Sequence, residues 1–347
     1  MKLFFRILRW SLLLALTVVL YIFLAPNTRF TNPEYTYVLS SPTSDEQVAE
    51  ELEQQGIIRF PFLFKVFYTF YGDWDLVQPG RYTARKGQTL FQTARQLKNS
   101  RKSIVKLVIN RLRLKEDFAR LIGKQFMVDS LTVIQFIQSN DSLQSFGVDT
   151  SNFFTMILPD TYEYYRNSSV RIILSKLREH SERFWLQEDR LKKAAALNLT
   201  PLQIYTLASI VEEETNEKCD RRLIASVYLN RLRIGMPLQA CPTIKYALRD
   251  FSITRIYEKY LTVNSSFNTY QRTGLPPGPI CTPAAATIDL VLNAPATQYL
   301  YFVAKSDFSG FHHFSSSYSE HQYYARLYQK ALTEEQNKKA TAEKGIK

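Results

Sequence analysis

Cysteine is scarce in this chain: Cys219, Cys241 and Cys281 are the only three among 347 residues. A disulfide framework is therefore excluded as the basis of the fold. Histidine is nearly as thin. The four, His180, His312, His313 and His321, show no ligand spacing with one another or with the cysteines, so neither a metal nor a cofactor is expected. No internal repeat appears. The net charge of +12 comes with no groove-reading motif and no Gly/aromatic RNA-binding signature, so nucleic acid is not expected as a partner. The basic excess points instead to an anionic membrane surface or an acidic polymer. What the chain does have is 45% hydrophobic and 14% aromatic residues, enough to build two modest domains plus extensions.

At the N-terminus, Lys2, Arg6 and Arg9 precede Trp10–Leu24, a run without charge. With Leu3–Ile7 in front, the apolar stretch is about twenty residues, enough for one spanning helix. The basic flank places the Met1 end in the cytoplasm and the remainder outside. A cleaved signal peptide is the other reading. It is disfavoured because the run ends Phe23-Leu24-Ala25-Pro26, without a small-x-small cleavage site.

Beyond a short polar linker, Tyr35–Leu39 alternates like a strand. Ser44-Asp45-Glu46-Gln47 reads as a capping box opening a helix that ends at Gln55, with Gly56 as its stop. Phe60–Tyr71 reads as a second helix. Pro79-Gly80 turns into a strand at Arg81–Ala84, and Thr89–Lys98 is a third helix. The pattern is a βααβ unit followed by a helix. Ser103–Asn110 reads as a strand, Leu114–Gly123 and Ser130–Gln138 as helices, and the stretch to Asn152 as loop. Val170–Leu197 has the pattern of one long amphipathic helix. Leu332–Lys347, polar and basic, reads as a frayed tail.

The densest chemistry lies in Leu207–Tyr246. Thr200 as N-cap, Pro201 at N1 and Gln203 at N3 open a helix that ends in Glu212, Glu213 and Glu214. At about 100° per residue, Ile204, Leu207, Ala208, Ile210 and Val211 share a face. Glu214 falls within roughly 50° of its centre, Glu212 about 110° away, and Glu213 nearly opposite. Glu214 thus extends the apolar face and Glu213 is expected in solvent. Burial raises a carboxyl pKa, which suits a general acid. Acids at a helix C-terminus also oppose the macrodipole, so three of them there call for a reason.

The motifs around this helix are Ala208-Ser209-Ile210-Val211-Glu212-Glu213-Glu214-Thr215, Ala225-Ser226-Val227, Asn230-Arg231-Leu232, Leu238-Gln239, Pro242-Thr243 and Tyr246. Asn268-Thr269-Tyr270 and Thr273-Gly274-Leu275-Pro276-Pro277-Gly278 follow, with Leu158-Pro159-Asp160-Thr161-Tyr162 upstream and Tyr299–Val303 and His312-His313-Phe314 downstream. In order and spacing they resemble the endolytic murein transglycosylase, or YceG-like, family. The resemblance covers most of the chain and is weak before about residue 150.

The resemblance implies an α+β fold: an N-terminal transmembrane helix, a small LysM-like α/β subdomain, and a mixed α+β catalytic domain. The corresponding segments are 1–9 cytoplasmic, 10–25 anchor (with the apolar run starting near 3), 26–102 linker and LysM-like subdomain, 103–330 catalytic domain and 331–347 tail. The subdomain reads equally as glycan binder or spacer. The family's catalytic Glu maps onto Glu214. Lytic transglycosylases use one carboxyl to cleave the bond between N-acetylmuramic acid and N-acetylglucosamine, forming a 1,6-anhydro end. Gln239, Thr243, Tyr246, Asn268, Thr269, Tyr270, Gly274, Leu275 and Pro276 are the expected sugar-binding residues, with Glu212, Asn230 and Arg221 in support. The expected partners are peptidoglycan strands, the bilayer through 10–25, and peptidoglycan synthases. The expected location is the inner membrane, single-pass, with the catalytic part periplasmic. A hydrolytic muramidase and a non-catalytic peptidoglycan-binding scaffold are the alternatives. The sequence departs from the family where Cys241 replaces the usual Asp of Leu-Gln-x-Asp-Pro-Thr, and where Phe154-Thr155 replaces a Glu-Gly. Cys241 and Cys281 fall in two loops expected to line the cleft, where they are either bridged or free.

Overall fold

The computed structural model describes residues 2–39, 45–71, 80–99 and 104–344. In chain order the helices and strands are α1 (Lys2–Leu24), β1 (Glu34–Leu39), α2 (Asp45–Gln54), α3 (Pro61–Tyr71), β2 (Gly80–Arg85), α4 (Leu90–Asn99), β3 (Ile104–Ile109), α5 (Lys115–Gln125), α6 (Ser130–Ile137), α7 (Asn140–Gln144), β4 (Asp160–Tyr165), α8 (Val170–Leu186), α9 (Arg190–Ala196), α10 (Pro201–Glu214), α11 (Lys218–Arg233), α12 (Cys241–Leu248), α13 (Glu258–Leu261), α14 (Ala285–Leu292), β5 (Tyr301–Ala304), β6 (His312–Ser315) and α15 (Tyr318–Lys344). The fold is mixed α+β, and among the described residues the strands pair two by two: β1 with β2, β3 with β4, β5 with β6. The chain divides into two compact units, Met1–Leu107 with Ala119–Ile134 and Thr161–Ile173, and Val108–Phe118 with Gln135–Asp160 and Leu174–Lys347.

The first unit contains the βααβ arrangement. β1 and β2 run antiparallel with Tyr37 opposite Tyr82, and the two rings stack at 5.4 Å. Below them Leu52, Ile57, Ile58, Phe64, Tyr68 and Leu97 close a core with no accessible surface. Gly56 ends α2 at φ +71°, a conformation that costs other residues energy. Thr89 and Gln92 cap α4 reciprocally, each side-chain oxygen accepting from the other's backbone N–H at 2.9 and 3.1 Å. Ser44, the expected cap of α2, lies outside the described residues.

Along α1, Trp10, Leu12, Leu14, Leu16 and Leu20 are all more than half exposed. Among the described residues no single helix is long and apolar enough to cross a membrane. Ala15, Val18, Val19, Ile22 and Phe23 of the charge-free run lie outside the described side chains. Helices α9 and α10 would qualify only as a pair bent by 85°. Since Ile204–Val211 are buried within their unit, this is the composition of a core helix.

Three sequence expectations fail in the second unit, each for a local reason. The stretch before Asn152 contains α7, capped by the Ser139 hydroxyl accepting from Ser142 N–H. The single long helix expected over 170–197 is two. It breaks where Glu188 and Asp189 take left-handed φ of 53° and 54°, and the break lets Arg190 turn inward. That guanidinium, 5% exposed, grips Asp289 at 2.6 and 2.9 Å and lies 3.8 Å over the Phe184 ring. The expected frayed tail is instead the continuation of α15 to Lys344. Ala, Glu, Gln and Lys are good helix formers, and upstream the helix is held by His313 stacked on Tyr324 at 4.0 Å.

Gly278 shows how tightly this unit is packed. A Cβ there would stand 2.0 Å from the Ser151 carbonyl oxygen, and backbone cannot step aside as a flexible side chain would. Gly278→Ala is expected to destabilise the protein by about 3 kcal/mol, read as a lowered urea midpoint; an unchanged midpoint would show that the 151 and 278 loops part freely.

Candidate active site

Helix α10 is the axis of the second unit. The Thr200–Gln203 capping box is formed, each side chain accepting from the other's backbone N–H at 3.2 and 2.8 Å. From Ile204 to Val211 every residue is buried, including the polar Thr206 and Ser209. Small side chains let neighbours approach closely: the Ser209 hydroxyl donates to Thr206 O at 2.7 Å and accepts from Ile280 N–H at 3.0 Å. The Cys281 thiol lies 3.4 Å from Ser209 O. The apolar stripe read from helical angles therefore does not exist as one face. The helix is buried all round, and its three terminal carboxylates emerge where that burial ends.

Each carboxylate has a different environment. Glu212, its side chain 11% exposed, accepts from the Thr287 hydroxyl of α14 and faces Arg221 Nη1 of α11 at 3.4 Å. Arg221 also donates from Nε to Thr215 O at 2.7 Å, tying the turn after α10. Glu213 is not in solvent as its angle suggested. Its side chain is 12% exposed and accepts a bidentate pair from Arg113 at 2.9 and 2.8 Å, with Arg111 at 3.4 Å. These arginines lie in the segment between β3 and α5, which is knitted in by Leu112 and Thr282 bonding through N–H, carbonyl and hydroxyl at 2.9 Å.

Glu214 has no arginine at bonding distance among the described residues. Its Oε1 accepts from the Tyr228 hydroxyl of α11. Burial raises its pKa from 4.5 to about 7, outweighing the lowering by the Tyr228 hydrogen bond and by Lys245 and Arg231. Burial, and then the nearby Glu214, push the Tyr228 phenol well up, so it remains a donor. Glu214 keeps a partly accessible edge. A carboxyl that retains its proton near neutrality and can meet solvent has the requirements of a general acid.

The sequence-predicted binding residues separate into two groups. Thr243, Asn268 and Thr269 are buried, and their side chains serve the loops. Thr269 Oγ1 accepts from Ala240 N–H at 3.0 Å and meets Thr243 Oγ1 at 2.9 Å. Asn268 donates to Leu261 O and Val263 O at 2.9 and 2.8 Å. Asn230 likewise donates to Thr297 O and Tyr299 O at 2.9 and 3.0 Å. The other group is accessible. Gln239 is exposed at a left-handed φ of 52°. Gly274 and Leu275, with the buried Pro276 behind them, border an open recess of about 610 Å³ along the 266–277 loop. Tyr246 and Phe267, rings 4.8 Å apart, line a second recess of about 290 Å³ with Lys115 and Arg249. Tyr270 places its hydroxyl 3.1 Å from Cys241 Sγ.

All three cysteines are free, so the bridge weighed between Cys241 and Cys281 is not formed. Burial, with Glu214 nearby, raises the Cys241 thiol and keeps it neutral. Sequence reasoning missed Tyr228, Lys245, Arg111 and Arg113. None is in helical register with Glu214, so no periodicity could have found them. Arg231 was noted without a role; it donates to Leu300 O and Leu238 O at 2.7 Å each and fastens the loop before α12 to the strand region.

With this geometry in hand, comparison with known proteins gives a consistent result. The YceG-like family model matches residues 38–326. The chain belongs to the YceG-like family. It is 46% identical over 105 residues to the endolytic murein transglycosylase of Bacillus subtilis strain 168, covering 30% of this chain and 29% of that protein. It is 24% identical over 290 residues to the endolytic murein transglycosylase of Streptococcus pneumoniae R6, covering 75% of this chain and 52% of that one. The chain thus spans about half, or less, of the length of these relatives. A crystal structure of a YceG-like protein from Listeria monocytogenes superposes with a TM-score of 0.55 at 23% identity, over 84% of this chain and 99% of that one, and shares its fold.

The different environments of Glu213 and Glu214 predict opposite effects of glutamine. Glu213→Gln breaks a largely buried ion pair and should cost about 1–3 kcal/mol, discounted because the arginines are partly exposed. For Glu214 the folded pKa lies above the 4.5 of a free side chain. The folded state therefore binds the extra proton, and stability falls as pH rises from about 4.5 to about 7. Glu214→Gln removes that penalty and should stabilise at pH 8 by on the order of 3 kcal/mol, and by under about 1 kcal/mol at pH 5. Urea unfolding of both variants at the two pH values is the check; a destabilised Glu214→Gln at pH 8 would contradict the burial account.

Proposed function

We propose that this chain is an endolytic murein transglycosylase that cuts peptidoglycan strands within their length and so ends their elongation. In this reading Glu214 protonates the glycosidic oxygen between N-acetylmuramic acid and N-acetylglucosamine. The same carboxylate then takes the proton of the muramic C6 hydroxyl as that oxygen attacks C1, closing a 1,6-anhydro ring without water. The nucleophile belongs to the substrate, so its effective concentration is high. Gln239, Tyr246, Tyr270, Gly274, Leu275 and Pro276 contact sugar, while Thr243, Asn268, Thr269, Asn230, Arg221 and Glu212 hold the loops that present them.

The observation that carries the proposal is the isolation of one carboxyl. Hydrolytic glycosidases generally need two. Here Glu212 and Glu213 are engaged by arginines, and the position where the family commonly has Asp is the neutral thiol of Cys241. Glu214, held by a neutral hydroxyl in place of an arginine, has its pKa raised to about 7 and keeps a partly accessible edge. The names of the Bacillus and pneumococcal relatives support the same reaction.

The proposal includes a cellular setting. Residues 10–25 anchor the chain in the cytoplasmic (inner) membrane, with the Met1 end in the cytoplasm. Residues 26–102 form a LysM-like subdomain, and 103–330 work on the outer, periplasmic side beside peptidoglycan synthases. The charge-free run behind Lys2, Arg6 and Arg9 supports this.

Mass spectrometry of products from purified glycan strands tests the reaction. Anhydro-muramic ends are expected from the parent and a loss of at least 10³-fold from Glu214→Gln; reducing muramic ends would instead mean a hydrolytic muramidase, and equal activity of the variant would remove Glu214 from the chemistry. Tyr228→Phe removes a hydrogen bond that favours the ionised carboxyl, so the Glu214 pKa rises further. The alkaline limb of the pH–rate profile should then move to higher pH; a limb that stays or moves down refutes the assigned role of Tyr228.

A further inference from the structure

Helix α3 buries Phe64 and Tyr68 completely, yet Phe62, Val66 and Phe70 are 72%, 41% and 88% exposed. At 100° per residue these three line a strip about 80° wide along the helix. Phe60, 47% exposed, stands immediately before it. Single exposed apolar side chains are ordinary, but an aromatic strip running the length of a helix marks a surface that something covers.

The chain path suggests what covers it. Helix α1 ends at Leu24, and within three residues the chain is bonded into the first unit. Asn27 N–H donates to Gln88 O at 3.0 Å, and Arg29 N–H to Gly56 O at 2.9 Å. The Asn27 side-chain oxygen accepts from Arg59 N–H at 3.2 Å, and Thr28 Oγ1 accepts from Gly87 N–H at 2.9 Å. Arg59 lies two residues before α3 begins at Pro61. Three extended residues reach about 10 Å at most, comparable with the depth of one headgroup layer. If α1 spans a bilayer, the first turn of α3 is therefore held in the interfacial zone. Arg29 and Arg59, both exposed at this junction, are placed for lipid phosphates. A strip of four side chains falls well short of the roughly 800 Å² per partner that a stable protein interface needs, which argues against a second copy as its cover.

We propose that α3 lies in the outer-leaflet interface of an anionic phospholipid bilayer. Phe62, Val66 and Phe70 dip into the acyl boundary and Arg29 and Arg59 meet the phosphates, giving the first unit a second membrane contact beside its anchor. The inference rests on the anchor reading of residues 10–25. The test uses the full chain in phosphatidylethanolamine–phosphatidylglycerol vesicles, with p-benzoylphenylalanine introduced at Phe70, at Phe62 or, to report the anchor, at Leu14. After irradiation, lipid adducts are expected at all three positions. Adducts at Leu14 with none at Phe62 and Phe70, or Phe70 cross-linked to a second copy, overturn the α3 contact while leaving the anchor standing. Absence of adducts at all three removes both. Phosphatidylcholine vesicles should give fewer adducts at Phe70 with Leu14 unchanged; equal yields would overturn the role of the two arginines.

Discussion

The second unit depends on one constraint: a helix buried on every side that ends in three consecutive acids. Carboxylates at a helix C-terminus face the negative end of the macrodipole, and burial removes the water that would screen them. Each must find its own relief. Glu212 finds it in Arg221 and Thr287, which draws α11 and α14 together at the end of α10. Glu213 finds it in Arg111 and Arg113, which brings in the segment after β3. These two pairings assemble much of the frame around the third acid.

Glu214 receives a neutral donor in place of a cation at contact distance. Lys245 and Arg231 act on it at longer range, and burial prevails, so its carboxyl titrates near 7. The three acids on this helix thus differ in their partners: ion pairs tie the first two into the framework, while the third accepts a hydrogen bond from the neutral Tyr228 hydroxyl. In the proposed chemistry this third group gives a proton and takes one back.

Much of the local structure was legible because its causes are local. The Thr200–Gln203 capping box, the Gly56 stop and the alternation of β1 all rest on neighbouring residues. The motifs also pointed to Glu214, though the angular argument for it did not hold, since α10 has no exposed face for an angle to measure. What escaped detection was non-local. The partners of Glu213 lie in another segment far upstream, which is why an acid at the apparently exposed angle is nearly buried. Tyr228 is on a different helix from Glu214, so no spacing connects them. The break before Arg190 serves an ion pair with Asp289, a residue of α14. Among the expected sugar ligands, Thr243, Asn268 and Thr269 have the right chemistry, but their hydrogen bonds are used within the loops, a distinction that composition cannot make.

The central claim is that Glu214 carries its proton to about neutrality while Tyr228 holds it. The most direct measurement is an NMR titration of the side-chain carboxyl carbon in uniformly labelled protein, assigned by the resonance lost in Glu214→Gln. A midpoint of about 7 is predicted. A midpoint near 4.5, the value of a free glutamate, would mean that the site leaves this carboxyl ionised and would contradict the account.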